Sequence, residues 1–182
     1  MKDEKTKGTA AQGHKQLDFV ALRAAELAPW LPFLHGNRFA RVVAVKGKPG
    51  VAEKAGQSPF FGSDGEALDS ALVALGWGIN SWCGIVLELP EKGTLSASDV
   101  RLIIEIVDPR ALLALDISSI TALQESFGEK LLPCIPEPGV KAHLLGRTLV
   151  YVDGFETALD SQDQDDGKAK RRVWKELKAL KI

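Results

Sequence analysis

The sequence is poor in cysteine and has no long apolar run. Only two of its 182 residues are cysteines, Cys83 and Cys134, and they form no CxxC pair. A disulfide scaffold is excluded, and a zinc or iron–sulfur site is not indicated. No stretch reaches the ~20 apolar residues of a membrane-spanning helix, and the lysine-rich segment 1–16 lacks the apolar core of a signal peptide. We therefore expect a cytoplasmic protein with reduced thiols and no membrane partner.

An excess of charge of either sign is also missing. The 23 Lys and Arg residues nearly balance the 24 Asp and Glu residues, for a formal net charge of −1. No global basic field points to nucleic acid, although such a sum does not reveal local patches. The sequence contains no Ser-His-Asp, HExxH or phosphate-binding-loop pattern. The sequence therefore does not indicate a hydrolase or a nucleotide-binding protein of the kinds that these motifs define.

Along the sequence, short apolar segments alternate with amphipathic segments. Apolar residues make up 45% of the chain, which is enough for a core. We expect a flexible tail over residues 1–16 and one domain over 17–182, monomeric and without a cofactor. A polar, acidic segment over residues 160–167 predicts an exposed loop, and residues 29–36, interrupted by two prolines, predict a packed loop.

Four short apolar segments without polar alternation predict buried strands, at residues 39–45, 82–89, 111–115 and 147–152. Amphipathic segments predict helices beginning at Asp18 and covering residues 65–75, 96–107, 118–127 and 167–182. Strands that alternate with helices favour βαβ units and a parallel sheet. The predicted fold is an α/β protein, a three-layer α/β/α sandwich around a central, mainly parallel four-stranded sheet. Ligands of such sheets lie at the carboxyl ends of the strands, so the loops starting near Lys46, Pro90, Asp116 and Asp153 are the candidate sites.

The loop after the first predicted strand carries the most specific pattern. It reads Val-Lys-Gly-Lys-Pro-Gly over residues 45–50, and Pro-Phe-Phe-Gly-Ser-Asp-Gly-Glu-Ala-Leu-Asp over residues 59–69. These segments resemble the first motif of the uracil-DNA glycosylase superfamily, particularly its bacterial iron–sulfur type. That motif runs Gly-Glu-x-Pro-Gly and, about ten residues later, Pro-Phe-x-Gly-x-x-Gly-x-x-Leu. Weaker likenesses at Pro90, at residues 108–116 and at residues 172–177 extend the resemblance over roughly residues 39–180.

The resemblance implies a pocket for a base flipped out of DNA. In the family, an acid or asparagine in the first loop positions a water, and an asparagine on the second strand reads the base. A histidine after the last strand stabilises the leaving base, and an aromatic ring stacks on it. In this sequence Gly47 matches the position of the acid, Gly84 matches that of the asparagine, and the residues around Asp153 match that of the histidine. Phe60 matches the stacking ring. Apart from the resemblance, the glycine-rich loop and the basic segment of the last helix offer candidate contacts with a nucleic-acid backbone, at Lys46, Lys48, Pro49, Gly50, Arg171 and Arg172.

Three of these four functional positions lack the residue that the family uses. Glycine at positions 47 and 84 can neither activate water nor read a base, and no His-Pro pair follows the last predicted strand. The four cluster cysteines are also missing. Each lost group is typically worth ~10²-fold or more in rate. The resemblance therefore implies a divergent member that has lost base excision and binds a nucleobase or nucleic acid. The alternatives are an active glycosylase of altered specificity, using Asp153 or Asp116, and a non-catalytic interaction protein.

Several candidate residues have a second interpretation. Phe60 is either a stacking ring or a core residue beneath the loop, and Lys46 and Lys48 either contact phosphate or are solvated surface lysines. Asp153 is either a functional carboxylate or a turn residue, and Asp116 is a functional group or a helix cap. Cys83 is expected to be a buried structural thiol. The basic segment 168–178 is either a nucleic-acid contact or the solvated face of the last helix.

Overall fold

The computed structural model describes residues 21–160 and 166–181. Six strands form one mixed sheet, and two short strands form a separate hairpin. The strands are β1 (Leu34–Gly36), β2 (Val42–Lys46), β3 (Trp82–Val86), β4 (Glu88–Leu89), β5 (Gly93–Thr94), β6 (Ala111–Ala114), β7 (Lys141–Leu144) and β8 (Arg147–Tyr151). The predicted tail and most of the predicted acidic loop lie outside the described residues.

The main sheet has the strand order β1-β3-β2-β6-β8-β7. The four inner strands, β3, β2, β6 and β8, are mutually parallel, and the edge strands β1 and β7 pair antiparallel with their neighbours. The four predicted strands are confirmed in position, and the α/β class with them. The predicted four-stranded sheet is wrong, because the sheet has six strands.

Local features explain why strands β1 and β7 were not predicted from the sequence. Strand β1 is three residues long and follows directly on a 3₁₀ helix, Ala28–Phe33, within the segment predicted as a loop. Strand β7 is mostly exposed and lacks an apolar run. Leu145 and Gly146 connect it to β8 with φ values of 50° and 80°, the backbone of a tight hairpin turn.

The helices are α1 (Val51–Lys54), α2 (Ser63–Ala74), α3 (Ala97–Val107), α4 (Ile117–Phe127), α5 (Phe155–Asp160) and α6 (Asp166–Leu177). The described chain also begins with helical residues 21–26, and a 3₁₀ turn, Lys178–Leu180, follows α6. Ser96 caps α3 and Asp116 caps α4, each through its side-chain oxygen. No helix of the described residues has the length and apolar character needed to cross a bilayer.

The core lies on both faces of the sheet. Every residue of β2, β3 and β6 is buried, as expected when helices cover both faces of parallel strands. Helices α3 and α4 contact each other, while α5 contacts α2 and α6. The carboxyl ends of β2, β6 and β8 meet at one edge of the sheet, and the motif loop begins there.

Candidate functional site

A buried lysine lies at the carboxyl end of the central strand. Lys46 is the last residue of β2 and is only 2% exposed. Its Nζ lies 2.6 Å from Oε1 of Glu53 on α1 and 2.6 Å from Oδ2 of Asp64 on α2. The phosphate and surface-lysine interpretations of Lys46 are both wrong in this structure, because its ammonium faces two carboxylates inside the protein.

Glu53 fixes the motif loop through both of its carboxylate oxygens. Oε1, besides contacting Lys46, accepts a hydrogen bond from the backbone N–H of Phe60 at 2.8 Å. Oε2 accepts one from the N–H of Gly50 at 2.9 Å. A single buried carboxylate thus joins both halves of the sequence motif to strand β2.

A third carboxylate completes the cluster. Oε1 of Glu156, on α5, lies 4.0 Å from Nζ of Lys46, and its side chain is 30% exposed. Ligand oxygens of Glu53, Asp64 and Glu156 all lie within 4.8 Å of one another, a spacing that could hold a metal ion. In this structure the ammonium of Lys46 supplies the positive charge between Glu53 and Asp64. We call these four residues the Lys46 cluster.

The surroundings of Lys46 and Glu53 favour their charged forms. Burial by itself lowers the pKa of Lys46, but hydrogen bonds and charge from Asp64 and Glu53 outweigh it and raise the pKa above its ordinary value. For Glu53, burial raises the pKa, yet the Lys46 and Phe60 hydrogen bonds outweigh it and the pKa is lowered. Lys46 therefore stays protonated and is not a nucleophile at neutral pH.

Phe60 and Gly84 contact each other instead of enclosing a base. The ring of Phe60 is 2% exposed, and a Cβ added to Gly84 would lie 2.5 Å from two of its carbons. The ring also meets Trp82 edge-on, with 5.3 Å between centroids, and lies 4.8 Å from Nζ of Lys46. Phe60 is thus a core residue, the second of its two interpretations, and its ring covers Gly84, which the resemblance matched to a base-reading asparagine.

The first-loop position has no room for a larger side chain. A Cβ on Gly47 would clash with Cβ of Ser118 and would lie 2.6 Å from Oδ1 of Asp116. Asp116 accepts hydrogen bonds from the N–H groups of Gly47 and Ser119, at 2.8 and 2.7 Å. Its interpretation as a helix cap is confirmed.

The predicted phosphate contacts around the loop are only partly accessible. Pro49 and Gly50 are buried. The N–H of Gly50 already donates to Glu53, and a carboxylate oxygen of Glu156 lies where a Cβ on Gly50 would be, so the Gly50 N–H is not free for a phosphate in this structure. Lys48 is exposed, and its contact with phosphate stays a prediction.

Asp153 lies apart from Phe60. Its Oδ1 accepts a hydrogen bond from the hydroxyl of Tyr151, its N–H donates to Glu176, and its carbonyl accepts from Arg172. Phe60 lines a cavity of about 360 Å³, and Asp153 is not among the residues of that cavity. The structure therefore does not bring the two predicted site residues together.

The basic residues of α6 differ in their surroundings. Arg171 is exposed, whereas Nε of Arg172 lies 3.7 Å from Oε1 of Glu176 and Nη2 donates to the carbonyl of Asp153. Arg172 thus holds α6 against the end of β8. Cys83, as expected, is buried, and burial raises the pKa of its thiol to about 12.

The sequence analysis missed Glu53, Asp64 and Glu156. One signal could have found them: Lys46 ends a strand whose other residues are all apolar, and a buried ammonium needs a carboxylate partner. Which acids supply that partner depends on how the loop folds back over the strand, because all three lie on other elements.

No family model matches the chain, and no curated protein is significantly similar to it. The observations above define an α/β protein with a mixed six-stranded sheet and a buried lysine–carboxylate cluster at the carboxyl edge of its inner strands.

Proposed function

We propose that the protein is a uracil-DNA-glycosylase-like domain that does not excise bases. Two features support the relationship. The four inner strands are parallel and correspond to the four strands predicted from the sequence, and the motif loop lies at their carboxyl edge. In sheets of this kind ligands lie at that edge.

One observation supports the proposal that base excision is lost: the side chains of Lys46 and Phe60 fill the space beside the motif loop. Lys46 reaches Glu53 and Asp64, and the Phe60 ring lies directly on Gly84. A flipped base needs a cavity lined by groups that stack on it and read its edge. Here the stacking ring is buried and the reading position has no side chain.

The proton-transfer groups are missing from the same place. Gly47, at the position of the family's water-activating acid, is packed against Ser118 and Asp116 and cannot be larger without rearrangement. Without an acid to orient water and a group to stabilise the departing base, little acceleration of hydrolysis is expected. This disfavours the alternative of an active glycosylase.

A second observation favours nucleic acid as the partner of this non-catalytic domain. Helix α6 and the residues directly after it expose seven cationic residues: Lys168, Lys170, Arg171, Arg172, Lys175, Lys178 and Lys181. Glu176, from the same helix, is buried. Exposed cationic residues contact phosphates without reading sequence.

Base excision is tested with purified protein and DNA containing uracil or hypoxanthine, single- and double-stranded. We expect no release of either base above that from heat-denatured protein. Release of uracil by the wild type would overturn the proposal.

Nucleic-acid binding is tested separately by the salt dependence of affinity for a DNA oligonucleotide. Arg171→Glu/Lys175→Glu should weaken binding and reduce the slope of log K against log salt by roughly the two lost contacts. Arg172 is avoided because it also holds α6 in place. Lys130→Glu, an exposed charge reversal outside α6, should leave binding close to the wild-type value. If the wild type does not bind, the remaining alternative is a protein-interaction domain.

A further inference from the structure

Residues 57–61, between helices α1 and α2, form a surface segment with a glycine at each end. Gly56 and Gly62 have φ values of 81° and 118°, and a Cβ added to either would meet no atom within 4 Å. Glycine adopts such values without steric cost, and hinges are commonly a few residues at the ends of helices and loops. Both ends of the segment therefore have the backbone freedom and the open space of hinge positions. We call residues 57–61 the strap.

One hydrogen bond and two side chains hold the strap in place. Residues 58–61 make a single hydrogen bond to the rest of the described chain, from the N–H of Phe60 to Oε1 of Glu53 at 2.8 Å. Of the five strap residues, Pro59 and Phe60 are buried and the others are exposed. Because the acceptor is a charged carboxylate, this hydrogen bond is stronger than one between neutral groups. Glu53 thus acts as the latch of the strap.

The backbone of the strap is strained at its centre. Phe60 has a φ value of 54°, which non-glycine residues rarely adopt and which persists where the surrounding structure enforces it, often in segments that switch between conformations. The carbonyl oxygen of Phe60 also lies where a Cβ on Gly65 of α2 would be. Opening of the strap loses the burial of the ring and the bond to Glu53, but it releases this strain. We therefore expect opening to cost less free energy than unfolding of the domain.

The strap forms part of the wall of two cavities. Ser58 and Pro59 line a cavity of about 480 Å³, whereas Phe60 and Phe61 line the cavity of about 360 Å³. Since consecutive residues of the strap line different cavities, the strap separates them. The ring of Phe60 also lies directly on Gly84, a position with no side chain to fill the space that the ring would leave. Outward movement of the strap would therefore uncover Gly84 and open the wall between the cavities.

We propose that the strap is a gate. It opens at Gly56 and Gly62 while the rest of the domain stays folded, carries the Phe60 ring off Gly84, and joins the two cavities into one cleft. The hydrogen bond from Phe60 to Glu53 keeps the gate closed in the described structure, so the cleft is accessible in the open form alone. This inference goes beyond the proposed function. The strap does not include α6, so its test is independent of nucleic-acid binding.

Native-state hydrogen exchange of the ¹⁵N-labelled full chain tests the proposal by comparing the amides of Phe60 and Val152. The N–H of Val152 donates to the carbonyl of Ala114 at 2.8 Å, inside the sheet. After correction for intrinsic rates, we expect the Phe60 amide to exchange roughly tenfold faster or more, with little dependence on urea below the unfolding transition. Exchange of the Val152 amide should accelerate steeply with urea, because it requires global unfolding. Equal protection and equal urea dependence of the two amides would overturn the proposal.

Gly65→Ala should open the strap from the neighbouring helix. The added Cβ would clash with the carbonyl oxygen of Phe60, whereas an alanine suits the helix itself. We expect exchange of the Phe60 amide to accelerate roughly tenfold beyond any change at Val152. Ser70→Ala, an exposed substitution on the same helix, should change neither amide. Equal acceleration at Phe60 and Val152 in Gly65→Ala would mean that the strap opens only when the whole domain unfolds, and would overturn the proposal.

Discussion

The Nζ of Lys46 lies 2.6 Å from Oε1 of Glu53, and this contact joins the end of strand β2 to the loop that folds over it. The same carboxylate holds the N–H groups of Phe60 and Gly50. The loop conformation, the burial of the Phe60 ring and the closure of the site thus depend on one ion pair.

Lys46→Met should destabilise the fold strongly. The substitution preserves much of the side-chain length but leaves the buried Glu53 and Asp64 without a counter-charge. Breaking a buried pair in this way typically costs about 3–5 kcal/mol. Urea unfolding measures the change, and Lys48→Met, two residues away and exposed, should change stability by less than about 0.5 kcal/mol. Similar stabilities of the two variants would contradict the role of the cluster.

Acid should destabilise the protein through Glu53. Because folding lowers the pKa of this carboxyl, its contribution is present above the unfolded-state pKa near ~4.3 and is lost as the pH falls through the folded-state pKa. For Lys46, whose pKa is raised, the contribution is present below ~10.4 and is lost only at higher pH. Urea unfolding between pH 2.5 and pH 8 should show a shallower acid dependence in Glu53→Gln than in the wild type. Parallel curves would contradict this assignment.

Gly84→Ala should destabilise the protein by overpacking. The added methyl group would lie 2.5 Å from two ring carbons of Phe60, and inserting a methyl group into a packed core typically costs about 1–3 kcal/mol. In a Phe60→Ala background the same substitution should cost less, since the ring is gone. Gly167→Ala is the control, because among the described residues its Cβ would meet the side chain of Arg171, at 3.4 Å or more. Additive effects of the Gly84 and Phe60 substitutions would argue against their direct contact.

The two thiols should differ in reactivity. Cys134 is exposed, whereas Cys83 is buried and its pKa is raised to about 12; the thiolate is the reactive form. Titration of the native protein with a disulfide reagent should therefore modify one thiol per chain, and a second only after unfolding in guanidinium. Cys134→Ser should abolish the fast reaction. Rapid modification of both thiols in the native state would contradict the burial of Cys83.

Much of the fold could be predicted from the sequence because its signals are local. The apolar segments that became β2, β3, β6 and β8 show their burial directly, and α3 and α4 show a hydrophobic face with a capping residue at the start. These patterns do not depend on what the rest of the chain does. The edge strands β1 and β7 were missed because their pairing comes from neighbouring strands.

The sequence alone determined that the chain has no acid at Gly47, no side chain at Gly84 and no histidine after the last strand. Only the tertiary structure decided what fills the resulting space. Lys46, Glu53, Asp64 and Glu156 come from four different elements, so their meeting is not visible in any local pattern. A lysine at the end of an apolar strand can extend either into water or toward a buried carboxylate. Because the loop folds over β2 in this protein, Lys46 contacts carboxylates.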